Sequence, residues 1–255
     1  MTLIAMCAYS TLENKKDECL EKTLESLRKS VDFTKHRMML HVNAFTKKTL
    51  DIVEEYSDIL EDVIWSDVNV GTAAGINAIW KFRKPQEHAI KCDDDVVINN
   101  CTGWIDLMES IVEADKTIGQ VGLKRKDLWE NPNHENPFYR SEISEIETEL
   151  GKVTIEKCNH IMGTCVLHSS DLLDTVGYLY QPKLYGFDDS LMSLRSRLSG
   201  FKNVFIPHID IDHIDEGATP YQKWKEEHSG QQWDLYHKAV ADYSNGENVY
   251  YNPFI

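Results

Sequence analysis

The sequence predicts an α/β fold: a single domain with a mostly parallel central sheet and helices on both faces. Three observations predict it. Apolar, strand-like runs alternate with amphipathic helical runs from residue 3 to 123. The polar residues Tyr9-Ser10, Asn43, Asp67 to Asn69 and Asp93 to Asp95 each follow such a strand, and open α/β sheets place ligands beyond the carboxyl ends of their strands. At 255 residues and 42% apolar content, the chain is long enough to bury one large core.

Residues 3–9 read as the first buried strand. Residues 17–30 follow as a helix with Leu20, Leu24 and Leu27 on one face. Residues 37–43, rich in Met, Leu and Val, are the second strand. Thr46 caps the next helix, which is expected to turn Leu50, Val53 and Tyr56 inward. A short strand at 63–65, a helix over 71–82 ended near Pro85, and a strand at 88–92 come next. Trp104, Leu107, Met108, Ile111 and Val112 mark an amphipathic helix, and 118–123 closes the series as a strand.

From 124 to 158 no period is sustained. Pro132, Pro137 and the acidic run 141–149 predict a long excursion with one short helix at most, and a loop of that length is functional or mobile. Its Trp129, Phe138, Tyr139 and Arg140 either form a binding wall or pack the loop onto the body. Residues 159–167 read as a strand interrupted by Gly163, which marks a bulge or a close backbone approach. Ser169 caps a short helix over 171–176. A second helix follows Asp188, with Leu191, Leu194 and Leu198 on its apolar face and Gly200 at its end. A strand is expected over 203–206. After Pro207, alternation puts Ile209, Ile211 and His213 on one face and Asp210 and Asp212 on the other. The aromatic stretch 220–255, with Tyr221, Trp224, Trp233, Tyr236 and Tyr243, is expected to be partly helical and to pack back on the domain or cover a cleft.

The charge balance narrows the function classes. With 42 acidic and 27 basic residues the formal net charge is −15, which disfavours non-specific binding to nucleic acid or anionic membrane. Six cysteines form no C-x-x-C pair, so a zinc site is not expected and a reducing, cytoplasmic setting fits. The first five residues lack the basic and long apolar regions of a signal peptide. No run approaches the ~18 apolar residues of a membrane span. Neither an internal repeat nor a low-complexity segment occurs.

The chemistry centres on Lys91-Cys92-Asp93-Asp94-Asp95. Three adjacent carboxylates repel one another, and a divalent cation removes that cost. In an extended segment Asp93 and Asp95 share a face, a pair of hard oxygen ligands for Mg²⁺ or Mn²⁺; a solvated acidic turn is the plainer reading. Residues 69–77 open a helix with Gly71 and small neighbours. They suit either an anionic ligand at a helix N-terminus or close helix–sheet packing. Asp188 and Asp189 begin a helix, as dipole-favoured acids or as a general base at a cleft edge. His213 ends a strand, as a structural residue or as a metal ligand.

Taken in order, these segments resemble a family 2-type glycosyltransferase of the glycosyltransferase A fold over 3–213, least closely over 124–158. The resemblance rests on Ala8-Tyr9, Asn69-x-Gly71 with Asn77, Asp93-x-Asp95, Gly186-Phe187-Asp188-Asp189 followed by Arg195 and Gly200, and His213. It implies a nucleotide-sugar-binding half (1–123), an acceptor and catalytic half (124–215) and a C-terminal aromatic-rich extension (216–255). Donor contacts would come from Ala8, Tyr9, Asn43, Asn69, Gly71, Asn77, Asp93 and Asp94. Asp95 would ligate Mn²⁺ or Mg²⁺, with Asp93 on the ribose or a metal-bound water and His213 completing the shell. Asp189 would be the base of an inverting, non-processive transfer, and Asp188 would cap the helix or bind acceptor. The implied donor is a uridine-diphosphate sugar. The acceptor would be a glycan, a lipid-linked sugar, a protein or a modified nucleic acid. Two departures stand out. The second strand ends His41-Val42-Asn43, where the family has Asp followed by Gly-Ser, which puts the uridine contacts in question. The late Arg lacks its usual aromatic partner, so polymer synthesis is not expected. A nucleotide-sugar binder without turnover and a nucleotidyltransferase are the competing classes. The latter wants a glycine-rich basic loop after the first strand, and Tyr9-Ser10-Thr11-Leu12-Glu13 is neither.

Overall fold

The computed structural model describes residues 1–99, 101–126, 142–215 and 232–255. In the first half, strands β1 (Thr2–Tyr9), β2 (Arg37–Asn43), β3 (Asp62–Ser66) and β4 (His88–Cys92) alternate with helices α1 (Asp17–Ser30), α2 (Lys47–Glu55) and α3 (Thr72–Trp80). Then come β5 (Val96–Ile98), α4 (Trp104–Ala114), β6 (Ile118–Arg125), β7 (Glu142–Thr148), β8 (Gly151–Cys158) and β9 (Cys165–His168). The chain ends with α5 (Ser170–Val176), α6 (Asp188–Leu198), β10 (Lys202–His213) and α7 (Trp233–Ser244).

One sheet runs in the order β3-β2-β1-β4-β9-β6-β10-β8-β7, with β5 paired to β10. The β3-β2-β1-β4 half is parallel throughout, and β6 and β10 are parallel to each other. Between them β9 runs antiparallel to both β4 and β6. Strands from 1–123 and from 124–215 therefore belong to one sheet. Alternation along β1 sorts the helices: Ile4, Met6 and Ala8 face a core completed by α1, α2 and α4. Leu3 and Ala5 face a second core completed by α3 and α5. A strand covered on both faces has no polar side, which is why β1 reads as a continuous apolar run.

Most expected elements fall where the pattern put them, and Thr46 caps α2 through a capping box with Thr49. Five details differ. In α2, Ile52 and Val53 turn inward with Tyr56, and Leu50 is exposed, because the helix packs along a stripe set by i, i+1 and i+4 rather than i, i+3. Leu198 at the end of α6 is exposed as well. Residues 159–164 are not strand, and only Cys165–His168 pairs, so Gly163 sits in a loop. Residues 142–158 form a β-hairpin rather than a periodless excursion. Its first strand carries Glu142, Glu145 and Glu147 at the end of the sheet order, and charges are common on an edge strand because they block further pairing. Such charges hide the alternation. The segment 202–213 is one strand with a register shift between Ile206 and Asp210, so Pro207 marks an irregularity and not an end. Trp129, Phe138, Tyr139, Arg140, Tyr221 and Trp224 lie outside the described residues.

Candidate active site

The carboxyl ends of β1, β2 and β4 open onto a cleft of about 540 Å³. Its floor is the acid triplet. Residues 93–95 form a turn between β4 and β5, not an extended run, so Asp93 and Asp95 do not share a face. The backbone fixes this turn on both sides: Asp93 N–H donates to the Thr164 carbonyl (2.8 Å) and Ile214 N–H to the Asp95 carbonyl (2.8 Å). Each acid then meets a different partner. Asp93 Oδ1 lies 2.8 Å from Lys91 Nζ. Asp94 Oδ2 accepts the Tyr9 N–H (3.3 Å). Asp95 Oδ2 lies 2.8 Å from Lys16 Nζ, which also reaches Asp215 at 3.0 Å. Because β5 pairs with β10 in the register Val96 to His213, His213 Nε2 comes to 3.4 Å from Asp95 Oδ1.

The opposite wall is the start of α6. Phe187 precedes it at φ +69°, an outlier for a bulky side chain. Its ring is held by stacking on Tyr236 (centroids 4.5 Å apart) and by an edge contact with Trp233. Asp188 and Asp189 follow. Asp188 is buried; its Oδ1 accepts from Gln181 Nε2 (3.4 Å), and its Oδ2 lies 3.7 Å from Lys91 Nζ. Asp189 Oδ2 accepts the Gly163 N–H (3.2 Å) and lies 3.4 Å from His160 Nε2. Lys91 Nζ also donates to the Gly163 carbonyl (2.6 Å), and a Cβ at Gly163 would stand 2.7 Å from that Nζ. A side chain at 163 would also crowd the Asp189 Cβ at 3.1 Å.

Electrostatics separate these acids. Burial raises Asp93 and Asp94, the latter to about 7, with neighbouring carboxylates adding to the effect and Lys91 and Lys16 opposing it. Burial likewise raises Asp188 against the pull of Lys91. For Asp189 burial is outweighed by His160, and the group is held down at about 2. His160 is raised in turn: burial opposes its charge, but Asp189 outweighs it. Both lysines stay protonated, since the carboxylates around them overcome the penalty of burial.

Of the residues singled out above, Tyr9, Asn43, Asn69, Asp93, Asp94, Asp95, Asp188, Asp189 and His213 line the cleft. Asn43 and Asn69 shape its rim. Asn43 Nδ2 donates to the Gly71 carbonyl (3.3 Å), and Asn69 Oδ1 accepts the Gly71 N–H (2.9 Å). Gly71 itself turns at φ +90° with Leu184 O only 3.0 Å from where a Cβ would lie, so no other residue fits easily. Two residues are placed elsewhere. Ala8 is fully buried in the core. Asn77 pairs with the backbone of Leu179 in both directions (2.8 and 3.0 Å), which fixes α3 to the chain before α6. Lys16, Lys91, His160, Gln181 and Asp215 were not anticipated. Lys91 had a readable signal, its i, i+2 spacing to Asp93; the others meet the acids only through the fold.

Among the described residues, the set of three metal-ligating side chains whose donor atoms lie within 4.8 Å of one another is His36, Asp106 and Glu109, not Asp93, Asp95 and His213. Within the cleft, the Asp95 and His213 donors fit one ion: two ligands on a shared divalent cation at about 2.1 Å each stand roughly 3 Å apart. Asp93 is turned to Lys91. None of the helices among the described residues is long and apolar enough to cross a membrane.

No protein-family model and no curated protein matches this sequence. Solved structures do. The mannosyltransferase PcManGT from Pyrobaculum calidifontis, in complex with GDP-Man and Mn²⁺, superposes with a TM-score of 0.69 at 15% identity, covering 94% of this chain and 64% of that one. S. aureus TarS 1-349 gives 0.58 at 16% identity over 83% and 60%. GalNAc-T7 with UDP, GalNAc and Mn²⁺ gives 0.58 at 15% over 84% and 44%. The chain thus spans less than two thirds of these proteins. At such identities the likeness speaks to architecture, and the architecture is the glycosyltransferase A fold.

Proposed function

We propose that this chain is a divalent-metal-dependent glycosyltransferase that moves a sugar from a nucleoside-diphosphate sugar to an acceptor hydroxyl by one inverting, non-processive displacement. A single observation carries the reading: the Asp93 to Asp95 turn and the Asp188-Asp189 pair face one cleft, joined by the buried Lys91. Similar folds in complex with GDP-Man, UDP or UDP-GlcNAc, two of them with Mn²⁺, support a nucleotide-sugar donor and leave both uridine and guanosine nucleotides open.

In this reading Asp95 and His213 would hold the ion, which would supply positive charge to offset that of the departing diphosphate. The Asn43–Asn69–Gly71 rim and Tyr9 bound the nucleotide side. Asp189, anchored by His160 and by the Gly163 and Ser190 N–H groups, lines the cleft and takes the proton of the acceptor hydroxyl. The acceptor oxygen forms its bond to the anomeric carbon as the bond to the diphosphate breaks on the opposite face. Asp188 and Gln181 shape the acceptor side. A panel of uridine- and guanosine-diphosphate sugars, each with and without Mn²⁺, tests this by melting temperature and release of nucleoside diphosphate. A true donor raises the melting temperature by mass action and is turned over. A shift with no turnover over any acceptor or water would leave a binder, and no shift at all would end the proposal.

A further inference from the structure

Five of the chain's eleven tyrosines gather around the C-terminal tail. The tail is pinned there by backbone. Tyr251 N–H donates to the Val176 carbonyl (3.0 Å) and Tyr178 N–H to the Tyr251 carbonyl (2.8 Å). The buried Arg195 guanidinium reaches the carbonyls of Val176 (2.9 Å) and Val249 (3.4 Å). Two hollows result. One, of about 300 Å³, has Tyr180, Tyr243, Tyr250 and Tyr251 in its walls with Asp242 and Asn248 at its edge. The other, of about 210 Å³, has Tyr178, Asn252 and Trp80. Trp80 is 1% exposed and its indole N–H finds no hydrogen-bond partner. Tyr250 lines both hollows and is 52% exposed, a ridge between them.

We propose that this double hollow is a second saccharide-binding site, with one sugar unit of a neutral oligosaccharide on each side of Tyr250. Aromatic walls with a few convergent polar groups are the composition of a small-molecule site, and 300 Å³ is at the lower end of such sites. Sugar rings present apolar C–H faces to tyrosine rings and hydroxyls to carboxylate and amide edges. The charges present cancel: Lys238 pairs with Asp242 (2.7 Å) and Arg83 with Asp174. Among the described residues that line the two hollows no net cation remains to hold a phosphate, and a −15 chain repels polyanions, so a neutral glycan is favoured over a nucleotide or nucleic acid. The site adjoins the cleft through two consecutive residues. Tyr180 packs edge-on against Tyr251 (5.2 Å), and Gln181 bonds Asp188. Resting on the proposed function, this makes the ligand the extended part of an acceptor glycan.

Saturation-transfer NMR on the full chain with maltopentaose, cellopentaose and chitopentaose tests the site. Binding of at least one is expected, weakened about ten-fold by Tyr250→Ala, the loss of one stacking contact, and also by Asp242→Ala. Tyr250 is exposed and Asp242 partly so, and unchanged melting temperatures and Mn²⁺–nucleotide titrations confirm folded variants. The inference fails if none of the three sugars binds, or if both variants bind as the parent does. Sugar binding in a chain that takes no nucleotide would uphold this site and sink the reading of the cleft.

Discussion

The two acid clusters of the cleft are built from the same residue and stand in different electrostatic surroundings. In the Asp93 to Asp95 turn, burial and neighbouring carboxylates raise Asp93 and Asp94, the latter to about 7, and two lysines stand beside the acids. That set holds negative charge at a cost that a cation relieves. At the start of α6 the pair is split: Asp188 is buried and raised, while Asp189 is held at about 2 by His160. In the proposed reading, environment and not residue type gives one cluster the cation and the other the proton transfer.

Three substitutions break this contrast, and the largest effect belongs to the first cluster. Asp95→Ala is expected to abolish Mn²⁺-dependent nucleotide binding and, because it takes one of two counter-charges from the buried Lys16, to lower the melting temperature without unfolding the chain; calorimetric titration with uridine and guanosine diphosphates measures the binding, and unchanged affinity removes Asp95 from the ion site. Next comes the cation shared by both clusters. Lys91→Met leaves Asp188 buried without its counter-charge, and breaking a buried pair costs about 3–5 kcal/mol. The lower end is expected, because Asp93 keeps some solvent contact. Denaturant unfolding reads it, and a loss well below 1 kcal/mol would mean that Lys91 does not hold the clusters together. Third, Asp189→Asn is expected to lower transfer by about 10²–10⁴ with nucleotide affinity unchanged. Should Asp188→Asn kill transfer while Asp189→Asn keeps it, the roles within the pair are reversed.

The same contrast explains what the sequence could tell. The first cluster is local: strand β4 runs into three consecutive acids, and Lys91 at i−2 from Asp93 is on the same stretch. The parallel half was legible for a related reason, since two-sided burial writes itself as unbroken apolar runs such as Leu3 to Ala8. The second cluster is assembled at long range. His160 and Gly163 reach Asp189 from a loop about 26 residues back in the chain, and no periodicity marks them. Hairpin β7–β8 was hidden by its edge glutamates, and the extended-strand assumption misplaced Asp93 because residues 93–95 turn. Asn77 and Ala8 matched a motif, yet their atoms are used by packing.

The smallest expected effect sharpens the second cluster. His160 is raised above its ordinary value near 6.5, so the stability it adds through Asp189 is fully present below pH 6.5 and is lost as pH rises through the raised value. Asp189 is lowered, so its contribution is present above its unfolded value near 3.9 and is lost only as pH falls toward 2. Between pH 4 and 6.5 the pair is whole. His160→Gln removes the cation and keeps a polar group at similar size. Its cost is that of one partly exposed pair, about 1 kcal/mol, or roughly 2–4 °C at this chain length. It should appear at pH 6 and shrink at pH 9, because the parent has lost the pair there too. Transfer at pH 7 should change little, since Asp189 is ionised either way; the acid limb of the rate profile should move upward as Asp189 relaxes toward an ordinary carboxyl. A melting-temperature difference that stays constant from pH 6 to 9 would show that His160 supports the loop by packing alone and leaves the ionisation of Asp189 to other groups.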